Sequence, residues 1–176
     1  QLMLTVEREH GLEAGQLKII PWLESASAIV HAFEILCADS RVVAAAFGAE
    51  DFTHDMGIRR VGDESEVGFA RQSMCIAARA AGVPALDTPY FSFRDEQGLR
   101  ANIAESKQCG FKGKFAIHPA QVDVINGAFA PSVEEIDYAR RVVAAFQEAE
   151  RNGRGSTSLD GLVIDVTVVK RAWALL

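Results

Sequence analysis

Short apolar runs and amphipathic segments alternate along the first 120 residues of the chain. Four apolar runs end at a polar position, and they occupy residues 18–24, 42–51, 83–89 and 114–119. Apolar runs of this length without alternation are typical of strands that are buried on both faces. The polar residues at or near their ends are Glu24, Asp51, Asp87 and His118.

The segments between these runs place apolar residues at helical spacing. They predict helices over 25–38, 66–81 and 94–108, and Gly82 and Gly110 mark two helix ends. Strand and helix alternating at about 30 residues per repeat predict a parallel sheet, in a doubly wound fold or a (β/α)8 barrel. No glycine-rich phosphate motif follows a strand, and polar residues at successive strand ends favour the barrel. A complete barrel takes roughly 250 residues. The predicted fold class is therefore α/β: residues 1–130 form the C-terminal half of a (β/α)8 TIM barrel.

The pattern changes after the fourth run. A helix is predicted over 119–129, and Ser132 with Glu135 forms a capping-box pattern that starts a long helix. The glycine- and serine-rich stretch 153–161 is predicted to be flexible, and a last helix spans 166–175. We interpret residues 131–176 as a C-terminal helical lid that moves over a site.

Composition narrows the range of functions. A net charge of −6 without a basic tract argues against nucleic-acid partners and anionic membranes. No run approaches the ~18 apolar residues of a membrane span, and the N-terminus lacks the basic start of a signal peptide. Residue 1 is not Met, so we expect the natural start to lie earlier. Three cysteines without CxxC spacing favour a reducing cytoplasm over a disulfide framework or a zinc site.

Glu24 and Asp51 are the first candidates for chemistry. Adjacent strand ends lie about 5 Å apart in a parallel sheet, so the two carboxylates could jointly bind one hard cation, Mg²⁺ or Mn²⁺. Alternatively, each carboxylate caps the helix that follows it. Glu50 could be the ligand instead of Asp51, because side chains alternate along a strand and only one of the two should face the site.

Other polar residues carry weaker signals. Asp87 is an N-cap or bonds to its own turn, and Asp165 is a candidate N-cap of the last helix. His118 is a proton carrier, a substrate contact or a histidine simply held by hydrogen bonds. Arg59 and Arg60 are an anion site or are solvated.

Four motifs together resemble the HpcH/HpaI aldolase and citrate lyase beta-subunit superfamily. Residues 20–25 (IPWLES) look like its metal-glutamate motif, and 47–52 (FGAEDF) with 56–59 (MGIR) resemble its metal-aspartate motif. Residues 110–121 (GFKGKFAIHPAQ) are similar to its strand-eight signature. Residues 155–165 (GSTSLDGLVID) resemble the lid of the branch similar to citrate lyase and malyl-CoA lyase. The resemblance runs over essentially the whole chain.

This resemblance implies a Mg²⁺-dependent lyase. The implied reaction cleaves a carbon–carbon bond of a short hydroxy-dicarboxylic acyl-CoA, such as citryl-, malyl- or citramalyl-CoA, into an acyl-CoA and a 2-oxo acid. It implies that Glu24 and Asp51 bind the metal, that Asp165 is the catalytic carboxylate, and that His118 lies near the thioester and binds substrate. The lid would act on a neighbouring subunit of a homotrimer or hexamer.

The chain departs from the family's usual pattern in three ways, and three alternative functions stay open. Leu-Glu-Ser at 23–25 stands where Ile-Glu-Thr is usual, and Thr167 stands where proline is common. The family's early-strand arginine and further acidic residues have no counterpart here. The alternatives are a related thioesterase, a 2-oxo-acid aldolase on the same site, and a non-catalytic half-barrel that serves as an assembly partner.

Overall fold

A computed structural model describes residues 2–176 of the chain. Short strands and longer helices alternate in it. The strands are β1 Trp22–Leu23, β2 Ala45–Phe47, β3 Ala85–Asp87, β4 Gly113–Lys114, β5 Thr157–Leu159 and β6 Leu162–Ile164. The helices are α1 Leu2–Glu9, α2 Ala26–Val30, α3 Ala32–Cys37, α4 Ala49–Asp55, α5 Gly68–Ala81, α6 Glu96–Cys109, α7 Ala120–Phe129, α8 Val133–Arg151 and α9 Val166–Leu175, and a 3-10 helix spans Ser65–Val67.

The first four strands form one parallel sheet in the order β1-β2-β3-β4. Sequence order equals spatial order, as in consecutive strands of a (β/α)8 barrel, whereas a doubly wound sheet reverses its order at a switch point. The α/β class and the arrangement expected of a barrel half are thus confirmed.

The two faces of this sheet have different neighbours. Leu23 and Phe47 are aligned in register and belong to the main apolar core, together with residues of α3 and α5. Trp22 and Ala46 form the preceding aligned pair and point to the other face, because side chains alternate along a strand. Trp22 of β1 lies with its ring 4.6 Å from that of Phe115, which follows β4. A side chain of β1 therefore meets one that directly follows β4.

Two predicted boundaries were wrong in this part of the chain. The second apolar run leaves the sheet at Phe47, and α4 starts at Ala49, so Asp51 lies in the first turn of a helix and not at a strand end. Acidic residues in a first turn are favoured by the helix dipole. The helix predicted over 25–38 is two helices that meet at His31. The β-branched pair Ile29 and Val30 directly before the break weakens helix propagation there.

The described chain separates into two compact units, with the division between Phe129 and Ala130. In the second unit the capping box is confirmed: Ser132 Oγ accepts from the Glu135 N–H, and the Glu135 carboxylate accepts from the Ser132 N–H. The stretch predicted to be flexible is partly ordered as a hairpin of β5 and β6. Its turn residues Asp160 and Gly161 both have positive φ, 51° and 79°, which is the geometry that Asp-Gly favours between two strands.

Helix α1 was not predicted. The buried Glu7 carboxylate at its C-terminal end accepts hydrogen bonds from the N–H groups of Gly15 and Leu17 and pairs with Arg41 at 2.8 Å. Over residues 2–176, none of the helices is long and apolar enough to cross a membrane.

Candidate metal site

Glu24 and Asp51 are brought together by the elements that follow β1 and β2. Glu24 comes directly after β1 and is half-buried, and Asp51 lies in the first turn of α4. One turn further along α4, the Asp55 carboxylate accepts a 2.8 Å hydrogen bond from the N–H of Ala26, which begins α2. This bond holds α4 beside the segment that carries Glu24.

The electrostatics of this pair favour an added positive charge. Burial raises the pKa of the Glu24 carboxyl, and the negative charge of the neighbouring Asp51 raises it further. Two neighbouring carboxylates repel each other when both are ionised. A proton or a bound cation relieves that repulsion.

Because Gly48 has no Cβ, the Glu24 side chain can lie directly against its backbone. A Cβ built on Gly48 would lie 2.5 Å from Glu24 Oε2 and 2.7 Å from Glu24 Cβ. Gly48 has φ −106° and ψ 91°, a conformation open to any residue. Close approach, and not backbone strain, therefore favours glycine at this position.

Glu50 faces a different partner. Its Oε1 accepts from Arg60 Nε at 3.0 Å. The sequence argument that only one of Glu50 and Asp51 faces the site relied on strand alternation, and this basis was wrong because both residues are helical. Consecutive helical residues project about 100° apart, so the two side chains still diverge.

Both carboxylates suit a hard divalent cation. Mg²⁺ prefers oxygen ligands, and it usually takes one or two protein carboxylates and fills the other octahedral positions with water or substrate. Among residues 2–176, no group of three or more His, Cys, Asp or Glu side chains is arranged to hold a metal. The site offered by this chain is therefore a two-carboxylate site, which leaves coordination positions open.

The environment of Asp87 differs from the one that the sequence predicts. It is fully buried and accepts from Arg71 Nη2 at 2.6 Å, from Lys114 Nζ at 2.9 Å and from the Ser106 hydroxyl. Burial alone would raise the pKa of the Asp87 carboxyl, but Lys114 and Arg71 outweigh this and lower it. The N-cap and turn interpretations of Asp87 were wrong: its side chain joins β3 and β4 to α5 and α6.

Sequence reasoning missed Arg71 and Lys114. Arg71 lies on the apolar stripe of α5, between Val67 and Met74, where a charge predicts a buried partner. Lys114 opens the fourth apolar run. The two positions together indicated a buried anion on a neighbouring strand.

His118 is exposed and lies beside an aromatic side chain. Its Nδ1 accepts from the Ala120 N–H at 3.1 Å, and its ring stacks on Phe93 with centroids 4.8 Å apart. An acceptor Nδ1 puts the imidazole proton on Nε2 in the neutral form. The same groove is lined by Arg94 and Gln121.

Asp165 caps α9, in agreement with one of its two interpretations. Its Oδ1 accepts from the Val168 N–H at 2.9 Å, and the residue is exposed. Because Oδ1 is the atom that caps, the second oxygen stays available for other contacts. Glu24 and Asp51 lie in the first compact unit and Asp165 in the second.

Known proteins are similar to this chain over most of its length. The chain is 39% identical to citrate lyase subunit beta of Haemophilus influenzae over 167 residues, which cover 95% of this chain and 57% of that protein. It is 37% identical to (3S)-malyl-CoA thioesterase of Cereibacter sphaeroides over 169 residues, which cover 93% of this chain and 59% of that protein. The chain thus spans somewhat more than half the length of these relatives.

A solved structure matches in fold. The crystal structure of CitE from Mycobacterium tuberculosis in complex with magnesium, acetoacetate and coenzyme A superposes with a TM-score of 0.77 at 32% identity, covering 90% of this chain and 59% of that one. Residues 1–119 match the family described as HpcH/HpaI aldolase/citrate lyase. The chain belongs to the HpcH/HpaI aldolase/citrate lyase family.

Proposed function

We propose that this chain carries the metal-binding half of a Mg²⁺-dependent carbon–carbon lyase. Its substrate would be a short hydroxy-dicarboxylic acyl-CoA, and its products an acyl-CoA and a 2-oxo acid. The observation that carries the proposal is the meeting of the half-buried Glu24 carboxyl with the exposed Asp51 carboxyl, which gives an oxygen-only pair. The similarity to citrate lyase beta and to a structure holding magnesium and coenzyme A supports it.

Glu24 and Asp51 would hold Mg²⁺, with Mn²⁺ as a substitute. When bound, the ion supplies Lewis-acid polarisation of the oxygens of the 2-oxo-acid portion. The two carboxylates fix the place of that charge, and Gly48 keeps the backbone close without displacing Glu24. Residues that hold a site in advance of reaction lower the reorganisation needed in the transition state.

Asp165 would move the proton. During cleavage the substrate hydroxyl would lose its proton to solvent, the carbon–carbon bond would break, and its electron pair would go to the α-carbon of the acyl-CoA. That carbon would take a proton from the protonated Asp165 carboxyl, and the carboxylate left behind would regain a proton from solvent. In the condensing direction the Asp165 carboxylate removes a proton from the acyl methyl group. The second oxygen of Asp165, which does not cap α9, is the atom proposed for this step.

His118 would bind substrate near the thioester, through an Nε2–H that its Nδ1 contact leaves free to donate. We further propose that the protein works as a homotrimer or hexamer in which the lid, residues 131–176, acts on the site of a neighbouring subunit. The closed lid would exclude water, which strengthens electrostatic contacts and protects the thioester.

Turnover of citryl-, malyl- and citramalyl-CoA with Mg²⁺ tests the function. We expect Glu24→Gln and Asp51→Asn to lower turnover at least about 100-fold, since even partners of metal ligands are worth 10–100-fold. Glu34→Gln, which changes an exposed carboxylate on α3, is the matched control and should keep full activity. Unchanged turnover in both site variants would refute the assignment.

A thioesterase is the second candidate function, favoured by the similarity to (3S)-malyl-CoA thioesterase. Product analysis separates the two, because a lyase or aldolase releases a 2-oxo acid whereas a thioesterase releases free coenzyme A and a hydroxy acid. A non-catalytic half-barrel would give neither product and would not bind Mg²⁺ through Glu24.

A further inference from the structure

Arg60 holds three carboxylates at once. Its Nε contacts Glu50 at 3.0 Å, its Nη2 contacts Glu64 at 2.9 Å, and its Nη1 contacts Glu66 at 2.6 Å. The guanidinium is mostly buried, with 22% of its side chain exposed, so solvent screens these contacts only partly. Of the two alternatives for Arg60, contact with an anion and solvation, the first is confirmed, and the anions are carboxylates of this chain.

Two of these partners are fixed by the fold. The side chains of Glu64 and Glu66 are only 11% and 10% exposed. Glu64 also accepts from Arg71 Nη1 at 3.1 Å and from Asn102 Nδ2 at 2.8 Å. It does so with φ 53°, a left-handed conformation that non-glycine residues adopt at a cost. Arg60 is thus anchored on one side by buried groups.

The third partner, Glu50, is the exposed one. Glu50 has a side chain that is 52% exposed, and it is the neighbour of Asp51 in the first turn of α4. A glutamate has three rotatable bonds, so a free Glu50 can reach groups near its own turn. The Arg60 contact restrains it.

We infer that Arg60 is a positioning residue that withholds Glu50 from the Glu24–Asp51 pair. A third carboxylate would bind the cation more tightly and would occupy a coordination position that substrate needs. The helix itself does not depend on Arg60, because Asp55 bonds to Ala26 and the Ala49 N–H donates to Thr88 Oγ1 at 3.4 Å. This inference rests on the proposed metal site.

Mn²⁺ binding measured by electron paramagnetic resonance of the free ion tests it with the 176-residue chain. We expect Arg60→Gln to tighten the Mn²⁺ dissociation constant at least threefold. Adding Glu50→Gln to Arg60→Gln should restore the wild-type value, although any loss of packing at Arg60 persists in the double variant. Glu50→Gln alone should stay within twofold of wild type. A merely structural role of Arg60 would not produce a change that the second substitution reverses.

Two further variants, a control and a conservative replacement, check this result. Arg59→Gln removes the exposed neighbouring arginine and should bind Mn²⁺ like wild type. Arg60→Lys keeps a cation beside Glu64 and Glu66, but an ammonium cannot reproduce the three-way fork. It should tighten binding at least twofold even if Arg60→Gln does not fold.

The outcomes separate this inference from the proposed function. If wild type binds Mn²⁺ through Glu24 while the Arg60 variants bind as Arg59→Gln does, the metal site stands and the role of Arg60 is refuted. A tenfold loss of affinity in Glu50→Gln alone would make Glu50 a ligand and would also refute it. Failure of wild type to bind Mn²⁺, or binding unaffected by Glu24→Gln, would overturn the metal site and the inference with it.

Discussion

Replacing Gly48 by alanine tests whether the geometry around Glu24 matters. The added Cβ would lie 2.7 Å from Glu24 Cβ, whereas carbon atoms in contact prefer about 3.5–4.0 Å. Glu24 Cβ is bound to the backbone, so it cannot rotate away as the end of a long side chain could. Glu24 must therefore move by about 1 Å.

The displacement has two measurable consequences. Overpacking of this kind costs about 1–3 kcal/mol, and the lower flexibility of the unfolded alanine chain offsets about 0.4–1 kcal/mol of it. At roughly 2–4 °C per kcal/mol for a chain of this size, we expect the melting temperature to fall by a few degrees. Changes to groups that orient a metal ligand cost about 10–100-fold in metal affinity, and we expect a Mn²⁺ affinity loss of that order.

Thermal unfolding followed by circular dichroism and Mn²⁺ titration are the two assays for Gly48→Ala. Gly127→Ala is the control, because Gly127 lies inside α7 and a Cβ there would meet nothing within 4 Å. That control should gain about 0.5–1 kcal/mol and keep its Mn²⁺ affinity. If Gly48→Ala binds Mn²⁺ as tightly as Gly127→Ala, the close approach at Gly48 does not position Glu24 and the reasoning is refuted.

Three further predictions follow from the described contacts. Asp87→Asn leaves the buried Lys114 without its carboxylate and takes from Arg71 one of its two carboxylate partners. It should therefore destabilise the protein by about 3–5 kcal/mol, measured by urea unfolding; a loss below 1 kcal/mol would contradict a buried ion pair at Asp87. The pKa of Glu24 is raised in the folded, metal-free protein, so folding favours its protonated form. The stability that protonated Glu24 contributes is complete at acidic pH and is lost as pH rises through the folded-state pKa. The metal-free Glu24→Gln variant should therefore melt at or above the wild-type temperature at pH 7 and should lose that advantage in acid. The Mn²⁺ affinity of wild type should fall as pH drops through the same range. Asp165→Asn should abolish turnover yet leave the melting temperature unchanged, because asparagine caps a helix as well as aspartate does. Asp160→Asn on the neighbouring hairpin turn is its control. Equal activity of the two variants would exclude Asp165 as the proton carrier.

The parts of the fold that depend on local pattern were predictable from sequence. Apolar runs located the four parallel strands, and the Ser132 capping box and Gly82 located helix ends, because these signals act within a few residues. The hairpin of β5 and β6 was missed although Asp160-Gly161 between apolar positions is a strong hairpin signal. The glycine- and serine-rich composition of this stretch predicted flexibility, and this signal outweighed the Asp160-Gly161 turn signal.

The candidate site was predictable only in part. Glu24 and Asp51 were expected to meet because carboxyl ends of neighbouring parallel strands lie at one edge of a sheet. The residue pattern alone left Asp51 and Glu50 open, and only the family resemblance favoured Asp51. The contact of Glu50 with Arg60, ten residues further along the chain, could not be seen in that pattern. The charges of Arg71 and Lys114 on apolar segments indicated a buried anion, but that this anion is Asp87 is set only when α5 and β4 have packed. Long-range pairing of charges leaves little trace in local periodicity.

Anomalous diffraction from crystals of the 176-residue chain soaked in Mn²⁺ would locate the ion relative to Glu24 and Asp51. We expect one strong anomalous peak between the two carboxylates, within about 2.0–2.6 Å of an oxygen of each. The same peak should be absent from crystals of Glu24→Gln. A wild-type map without a peak between these two side chains, or with the only strong peak elsewhere on the molecule, would contradict the account.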